Sequence, residues 1–156
     1  MRKKFLAVLP AVAALGVLTA SPASADEIET FKNVATGKCL DAQVMDGGAW
    51  RVYVNDCNSG DNQKWIVHVW NDGTRQLGNK AVQGLCLGVD PQSGSVGAWG
   101  CNSEPNNSWF VDNNGRGVRF WNQHAKIYNW AEQCFDTNGT DIYMHGCNDG
   151  DNQRWV

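Results

Sequence analysis

The sequence predicts an all-β domain made of three copies of one unit, and three observations support this prediction. A Cys-Asn pair is followed by a tryptophan eight positions after the cysteine in Cys57–Trp65, Cys101–Trp109 and Cys147–Trp155. The motif tryptophans lie 44 and 46 positions apart, and a fixed period in this range indicates a repeat architecture. Short apolar runs separated by turn residues, without helical periodicity, are typical of β-structure.

The N-terminal segment is predicted to be a secretory signal peptide covering residues 1–25. Residues 2–4 are basic, residues 5–20 are almost entirely apolar, and residues 23–25 form an Ala-x-Ala cleavage site. A membrane anchor is the alternative, but the apolar run contains Pro10 and is short for a span of about 20 residues. We therefore expect a secreted, extracellular protein whose single mature domain covers residues 26–156.

A second cysteine phrase precedes each motif, so the repeat accounts for all six cysteines. It occupies Lys38–Asp41, Leu85–Gly88 and Gln133–Asp136. An even number of cysteines in a small secreted domain implies disulfides. The repeat selects the pairs Cys39–Cys57, Cys86–Cys101 and Cys134–Cys147. A metal cluster or a nucleophilic thiol fits poorly, because no Cys-x-x-Cys spacing occurs.

The three repeats are predicted to cover residues 29–70, 74–112 and 117–156. Asp-Gly at 72–73 and Asn-Gly at 114–115 are strong hairpin-turn signals at the joins. The predicted strands are Phe31–Ala35, Trp50–Asn55, Trp65–Trp70, Val96–Trp99, Trp109–Val111, Val118–Trp121 and Ile142–His145. One unit of this size cannot bury an apolar face alone, whereas three units can do so around a pseudo-threefold axis.

Composition excludes two classes of partner. The full chain carries 13 Lys+Arg against 16 Asp+Glu, and removal of the three basic residues of the leader lowers the net charge to about −6. Nucleic acids and anionic membrane surfaces both require basic patches. We therefore expect neither as a partner and expect no membrane span in the mature chain.

The paired phrases C-[LF]-[DG] and C-N-x(4)-[QN]-x-W resemble the ricin B-type lectin family, the QxW β-trefoils that also serve as carbohydrate-binding modules of secreted hydrolases. The resemblance covers the whole mature chain and implies a β-trefoil of three repeats of about 44 residues, each with one disulfide. It further implies that the motif tryptophans are buried near the threefold axis. The Gln two positions before the tryptophan in repeats one and three is expected to hydrogen-bond neighbouring backbone.

The resemblance also implies where sugar would bind in each repeat. The Asp two positions after the first cysteine accepts sugar hydroxyls, a planar side chain two positions before the second cysteine stacks on the ring, and the Asn beside the motif Gln completes the set. Repeat three matches this pattern best, through Asp136, His145, Asn152 and Gln153. The alternative is that Asp136 ties down a turn and His145 is idle.

Repeats one and two depart from the pattern to different degrees. Repeat one retains Asp41, Asn62 and Gln63, but the stacking position holds Asn55, so Tyr53 on the same strand face is its candidate aromatic. Repeat two has Gly88 in place of the Asp and Asn107 in place of the Gln, while Trp99 occupies the stacking position. We expect a lost or altered pocket there, with Trp99 either binding sugar or serving as packing surface.

An enzymatic function is not expected. The three histidines, His68, His124 and His145, lie scattered over the repeats, and no G-x-S-x-G, H-E-x-x-H or phosphate-loop motif is present. Asp149 and Asp151 lie in an Asn- and Gly-rich turn, where solvated carboxylates are far commoner than calcium ligands. We expect no cofactor and no metal.

Two functions follow from these features. The first is a non-catalytic lectin that binds glycans or polysaccharides of the galactose, xylose or mannose type. The second is a protein-interaction subunit, adaptor or inhibitor in a secreted complex or toxin, which uses the fold without binding sugar. The second function draws on a longer opening segment in repeat three, whose aromatic residues Trp121, Tyr128 and Trp130 are candidates for a protein contact.

Overall fold

The computed structural model describes residues 26–128 and 132–156. The predicted signal peptide and Trp130 lie outside the described residues. Repeat one contains the strands β1 (Glu27–Glu29), β2 (Cys39–Val44), β3 (Trp50–Asn55) and β4 (Trp65–Val69). Repeat two contains β5 (Arg75–Asn79), β6 (Leu85–Val89), β7 (Val96–Gly100) and β8 (Trp109–Asn113). Repeat three contains β9 (Val118–Asn122), the helix α1 (Gln123–Ile127), β10 (Gln133–Thr137) and β11 (Ile142–Gly146).

A barrel forms from the outer strands of each repeat. β4 pairs with β1 and β5, and β8 pairs with β5 and β9, in each case antiparallel. Trp155 completes the wall through bridges to Asn33 and Val118. Repeats one and two thus contain four strands each, whereas the last strand of repeat three is reduced to a bridge.

The inner strands of each repeat form a cap on the barrel. They make the hairpins β2–β3, β6–β7 and β10–β11, and each hairpin contacts the other two. This barrel with three capping hairpins is the β-trefoil architecture, so the predicted fold class is confirmed.

Aromatic and aliphatic side chains build the core together. Trp65, Trp109 and Trp155 are fully buried. The ring of Phe135 lies 5.3 Å from that of Trp109 and 4.8 Å from that of Trp155. The indole N–H of Trp65 donates to the carbonyl of Leu40 at 3.1 Å, and Trp109 repeats this bond in repeat two. Trp65 and Trp109 therefore fix the strands that carry the first cysteine phrase of their repeats, whereas the buried indole N–H of Trp155 has no hydrogen-bond partner among the described residues.

The predicted disulfides Cys39–Cys57, Cys86–Cys101 and Cys134–Cys147 are all present, one within each repeat. Each closes a loop of 13 to 18 residues between the second strand of a repeat and its motif turn. Cross-links of this size stabilise a domain by about 3 kcal/mol each in the chain-entropy model.

In each repeat, one buried asparagine hydrogen-bonds the motif turn of the preceding repeat in the threefold arrangement. The side-chain amide of Asn33 donates to the carbonyl of Asn152 at 2.9 Å. Asn79 makes the same bond to Asn62, and Asn122 makes it to Asn106. The position of each motif turn therefore depends on the neighbouring repeat.

Two local features differ from the sequence predictions. Residues 31–35 do not form a strand, because Asn33 accepts a hydrogen bond from the Thr36 N–H and initiates a turn. The longer opening segment of repeat three forms the five-residue helix α1, capped by the side chain of Asn122. None of the helices in the described part of the chain is long and apolar enough to cross a membrane.

The two predicted hairpin turns are confirmed. Gly73 and Gly115 both adopt φ of 84°, a conformation that glycine reaches without strain. They connect β4 to β5 and β8 to β9.

Candidate functional site

The carboxylate of Asp41 is the centre of the polar cluster in repeat one. Asp41 lies on β2, is 0% exposed, and accepts hydrogen bonds from two amides of the motif turn. Asn62 Nδ2 donates to its Oδ1 at 2.6 Å, and Gln63 Nε2 donates to its Oδ2 at 2.7 Å. Both carboxylate oxygens are therefore occupied by protein donors.

Gln63 also fixes the loop that follows the second cysteine phrase. Its Oε1 accepts from the backbone N–H of Asn58 at 2.8 Å, and its Nε2 also donates to the carbonyl of Asp56 at 3.0 Å. The predicted hydrogen bonding of the motif Gln to neighbouring backbone is thus present. The same amide links the loop, the motif turn and the carboxylate.

The aromatic side chain beside this cluster is Tyr53. It lies directly opposite Asp41 in the β2–β3 register, and the guanidinium of Arg51 lies 5.3 Å from its ring centroid. Burial raises the pKa of the Tyr53 hydroxyl, and the negative charge of Asp41 raises it further. Asn55, at the predicted stacking position, lies opposite Cys39 and is exposed.

Repeat three builds the same cluster around Asp136 but leaves it more open. Gln153 Nε2 donates to Asp136 Oδ2 at 2.9 Å, and Gln153 Oε1 accepts from Asn148 N–H at 2.8 Å. Asn152 does not reach the carboxylate, because its Nδ2 donates to the carbonyl of Thr137 at 2.6 Å. Asp136 Oδ1 consequently receives no amide hydrogen bond from the described residues, and Asp136 is 6% exposed.

Sequence reasoning missed Tyr143, which lies directly opposite Asp136 in the β10–β11 register. Its side chain is 38% exposed. Burial raises the pKa of its hydroxyl, and the charge of Asp136 and a hydrogen bond with that carboxylate raise it further. His145 lies one pair along, opposite Cys134 and exposed, with Nδ1 3.1 Å from the Gly146 carbonyl. The equivalence of Tyr143 to Tyr53, each four positions before a cysteine, is the signal that could have found it.

Repeat two replaces both members of this pair with glycine. Gly88 lies opposite Gly97, and the indole of Trp99 leans over both, 3.0 Å from a Cβ placed at Gly88 and 3.4 Å from one at Gly97. The Nδ2 of Asn107 lies 2.3 Å from the same Gly88 Cβ position, so this amide fills the space of the missing carboxylate. Both polar atoms of the Asn107 side chain are buried without a hydrogen-bond partner among the described residues.

The carboxylates of Asp149 and Asp151, in the acidic turn of repeat three, form ion pairs with arginines. Asp149 lies 3.2 Å from the buried guanidinium of Arg154, and Asp151 lies 3.5 Å from the exposed guanidinium of Arg116. Across residues 26–128 and 132–156, no group of three or more His, Cys, Asp or Glu side chains could hold a metal ion.

These arrangements repeat a motif that a known family shares. The sequence model of the ricin-type beta-trefoil lectin domain matches residues 27–155. The chain belongs to this family. Membership supports a carbohydrate-binding role, and domains of the ricin type are typically non-catalytic. A comparison with curated proteins finds no significant match.

Solved structures share the ricin-type fold at low sequence identity. The designed threefold-symmetric protein ThreeFoil superposes with a TM-score of 0.68 at 22% identity, over 82% of this chain and 95% of that one. The haemolytic lectin CEL-III gives 0.63 at 24% identity, over 82% of this chain but only 29% of its own length. SeviL, solved with the asialo-GM1 saccharide, gives 0.64 at 13% identity, over 83% and 94% of the two chains.

Proposed function

We propose that the protein is a secreted, non-catalytic lectin whose principal sugar-binding pocket lies in repeat three. The observation that carries this proposal is the carboxylate of Asp136, which is held by Gln153 through one oxygen only. Its other oxygen is left without an amide donor from the described residues, and the exposed Tyr143 lies directly opposite Asp136 in the β10–β11 register. A charged acceptor next to an aromatic ring is the combination that sugar hydroxyls and an apolar ring face require.

The contacts in this pocket divide by chemistry. Asp136 accepts hydroxyl hydrogens of the sugar, and Tyr143 covers the ring face, with His145 at the outer rim. Asn152 adds an amide when it turns from Thr137, and Gln153 holds the carboxylate in place. Several of these groups are fixed by hydrogen bonds before sugar arrives, which reduces the entropy lost on binding.

Repeat one is proposed as a second, weaker pocket. Asp41, Tyr53 and Gln63 reproduce the arrangement of repeat three, and Asn55 lies at the rim. Asn62 occupies Asp41 Oδ1, so sugar must displace a charge-assisted hydrogen bond, which is worth about 1.5–3 kcal/mol. In repeat two, Trp99 offers an aromatic face without a carboxylate. A single shallow pocket binds with a Kd of about 1 mM, and several pockets on one polymer gain by avidity.

The decisive experiment is a broad glycan and polysaccharide array probed with the purified, disulfide-intact domain of residues 26–156. We expect a neutral glycan to be bound, and Asp136→Ala to remove that signal while near-ultraviolet circular dichroism remains unchanged. Asp46→Ala, which removes an exposed carboxylate in the turn between β2 and β3, is the matched control. A blank array with folded wild-type protein contradicts the proposal.

Secretion is supported by the leader-like residues 1–25 and by the three disulfides. N-terminal sequencing of protein recovered from the culture medium is expected to begin at Asp26. Protein retained in the cell with its leader intact contradicts this part of the proposal.

A second candidate function, protein interaction, is favoured by the exposed end of α1. Ile127 is 53% exposed and Tyr128 is 61% exposed, whereas Trp121 is covered by stacking on Phe110 at 4.4 Å. A partner that is lost on Ile127→Ser and Tyr128→Ser, together with a blank glycan array, establishes this function instead.

A further inference from the structure

The hairpin of repeat three is joined to repeat one by direct contacts. Asp141 forms a backbone bridge with Tyr53 and an ion pair with Arg51. The backbone N–H of Val54 donates to the carbonyl of Thr140 at 3.1 Å, and Lys38 Nζ donates to the carbonyl of Gly139 at 2.9 Å. Among the described residues, these contacts leave no open groove between the two repeats beside Tyr53 of the repeat-one pocket.

The equivalent join between repeats two and three is open. Strand register makes Ser95 the counterpart of Asp141, and Tyr143 the counterpart of Tyr53. Among the described residues, no hydrogen bond links residues 90–95 to residues 142–144. A cavity of about 290 Å³ lies there instead, with Ser95, Tyr143 and Met144 in its lining.

A second cavity continues the first towards α1. It has a volume of about 350 Å³ and shares Ser93, Gly94 and Met144 with the first. Its remaining lining residues are Val89, Gln92, Asn122, Ala125 and Gln133. The two cavities form one groove, here called the join groove, which starts at Tyr143 and ends at the helix in the longer opening segment of repeat three.

The chemistry of the join groove fits a neutral, hydroxyl-rich ligand. Among its described lining residues there is no carboxylate, ammonium or guanidinium group. The side-chain amides of Gln92 and Gln133 make no hydrogen bond within the described residues, so both are available to a ligand. Val89, Ala125 and Met144 supply apolar surface between these amides, which is the mixture that saccharide rings bind.

The turn that forms one wall of the join groove is held in place before any ligand binds. Asp90 Oδ1 accepts hydrogen bonds from the backbone N–H groups of Ser93 at 2.7 Å and Gln92 at 2.8 Å. These bonds lower the pKa of the Asp90 carboxyl. The backbone N–H of Gly94 also donates to the Asp90 carbonyl at 2.8 Å. A preformed wall reduces the entropy lost on binding.

Tyr143 is both the aromatic side chain of the repeat-three pocket and part of the wall of the join groove. We therefore infer that a neutral oligosaccharide places one sugar unit in that pocket and its further units in the join groove. This inference rests on the proposed function. On this inference the protein recognises oligosaccharide chains rather than single sugars, and α1 forms one end of the binding groove through Ala125.

Calorimetric titration of residues 26–156 with xylose, xylobiose and xylotetraose, and with the matching β-1,4-galactan series, tests the inference. We expect the tetrasaccharide of the recognised series to bind about tenfold more tightly than the monosaccharide, the gain given by two neutral hydrogen bonds. Ser95→Trp, which fills the first cavity, and the double variant Gln92→Ala/Gln133→Ala are each expected to remove this gain. Both are expected to leave monosaccharide affinity within about twofold of wild type, a change of less than 1 kcal/mol.

Gln43→Ala, an exposed glutamine on the hairpin of repeat one, is the matched control and is expected to retain the gain. Equal affinity of wild type for monosaccharide and tetrasaccharide overturns the groove and leaves the lectin function standing. A gain that survives in both groove variants overturns it as well. Wild-type protein that binds neither series also overturns the groove, and the broad glycan array then decides separately on the proposed function.

Discussion

The carboxylate of repeat one is covered by its own asparagine, whereas the carboxylate of repeat three is not. Both motif turns contain the same three residues, Asp-Asn-Gln. In repeat one the asparagine amide donates to Asp41, while in repeat three it donates to the carbonyl of Thr137. Repeat two resembles repeat three in this respect, since Asn106 Nδ2 donates to the carbonyl of Val89 at 3.4 Å. Motif turns of identical sequence therefore leave the neighbouring carboxylate covered in repeat one and more accessible in repeat three.

Repeat two extends the comparison, because it keeps the fold while losing the polar cluster. Trp109 is as buried as Trp65 and Trp155, and the disulfide Cys86–Cys101 is present. What changes is the space above them, where Asn107 and Trp99 fill the positions of the carboxylate and the tyrosine. The residues that build the trefoil are thus separable from those that build a pocket.

The largest expected effect is on stability, from removal of the motif amide. Gln153→Ala removes the hydrogen bonds that this side chain makes with Asp136 Oδ2, the Gly146 carbonyl and the Asn148 N–H. We expect a loss of about 3 kcal/mol in the free energy of unfolding, because one of the broken bonds is to a charge. Urea unfolding followed by tryptophan fluorescence measures it.

The matched change in repeat two is Asn107→Ala. Its buried side chain has no hydrogen-bond partner within the described residues, so its removal relieves an unsatisfied group and offsets the small cavity created. We expect a change within about 1 kcal/mol of zero. Equal losses for Gln153→Ala and Asn107→Ala contradict the comparison between the two motif turns.

The second prediction separates the two carboxylate pockets. Asp136→Ala is expected to weaken monosaccharide binding by about 10- to 100-fold, the value of a hydrogen bond to a charged group. Asp41→Ala is expected to change the affinity of the stronger site less than about threefold, since Asp41 belongs to the pocket of repeat one. Nuclear magnetic resonance titration, with the ring signals of Tyr53 and Tyr143 as reporters, distinguishes the sites. A larger effect of Asp41→Ala reverses the assignment of the principal pocket.

The third prediction concerns the space that glycine leaves in repeat two. A Cβ at Gly88 lies 2.3 Å from Asn107 Nδ2 and 3.0 Å from the carbonyl of Asn106. Gly88→Ala is therefore expected to cost about 1–2 kcal/mol by overpacking. The double variant Gly88→Ala/Asn107→Ala is expected to recover part of that loss in a double-mutant cycle. Additive effects of the two substitutions show that Asn107 does not fill the space of the carboxylate.

Much of the fold could be predicted from the sequence, because it is encoded by spacing. The recurrence of cysteine and tryptophan gives the three repeats, the disulfide pairs and the buried indoles. The threefold asparagines Asn33, Asn79 and Asn122 recur at 46 and 43 positions, a period that could have been read. They were missed because polar residues outside the cysteine phrases carry no composition signal. The bend at residues 31–35 follows from the first of them.

The candidate site was less predictable, because it depends on strand register. Asp41 and Tyr53 are 12 positions apart, whereas Asp136 and Tyr143 are seven apart, so hairpins of unequal length place the same pair opposite each other. Counting back from the second cysteine led to His145, which lies opposite Cys134 instead. The direction of the asparagine amide, towards carboxylate or carbonyl, is set by packing that no motif encodes.

The smallest expected effect comes from the tyrosine hydroxyls. Tyr143→Phe keeps the ring but removes the hydroxyl that interacts with Asp136. We expect sugar affinity to fall about threefold, which lies at the lower end of the contribution of one neutral hydrogen bond. Tyr53→Phe is expected to leave the affinity of the stronger site unchanged. Burial and Asp136 raise the pKa of the Tyr143 hydroxyl above its usual value, so it remains a neutral donor at pH 9. Its contribution is therefore present from pH 6 to pH 9, and titrations of wild type and Tyr143→Phe at both values are expected to give the same ratio of affinities. A ratio that disappears by pH 9 indicates that the hydroxyl ionises and that Asp136 does not raise its pKa.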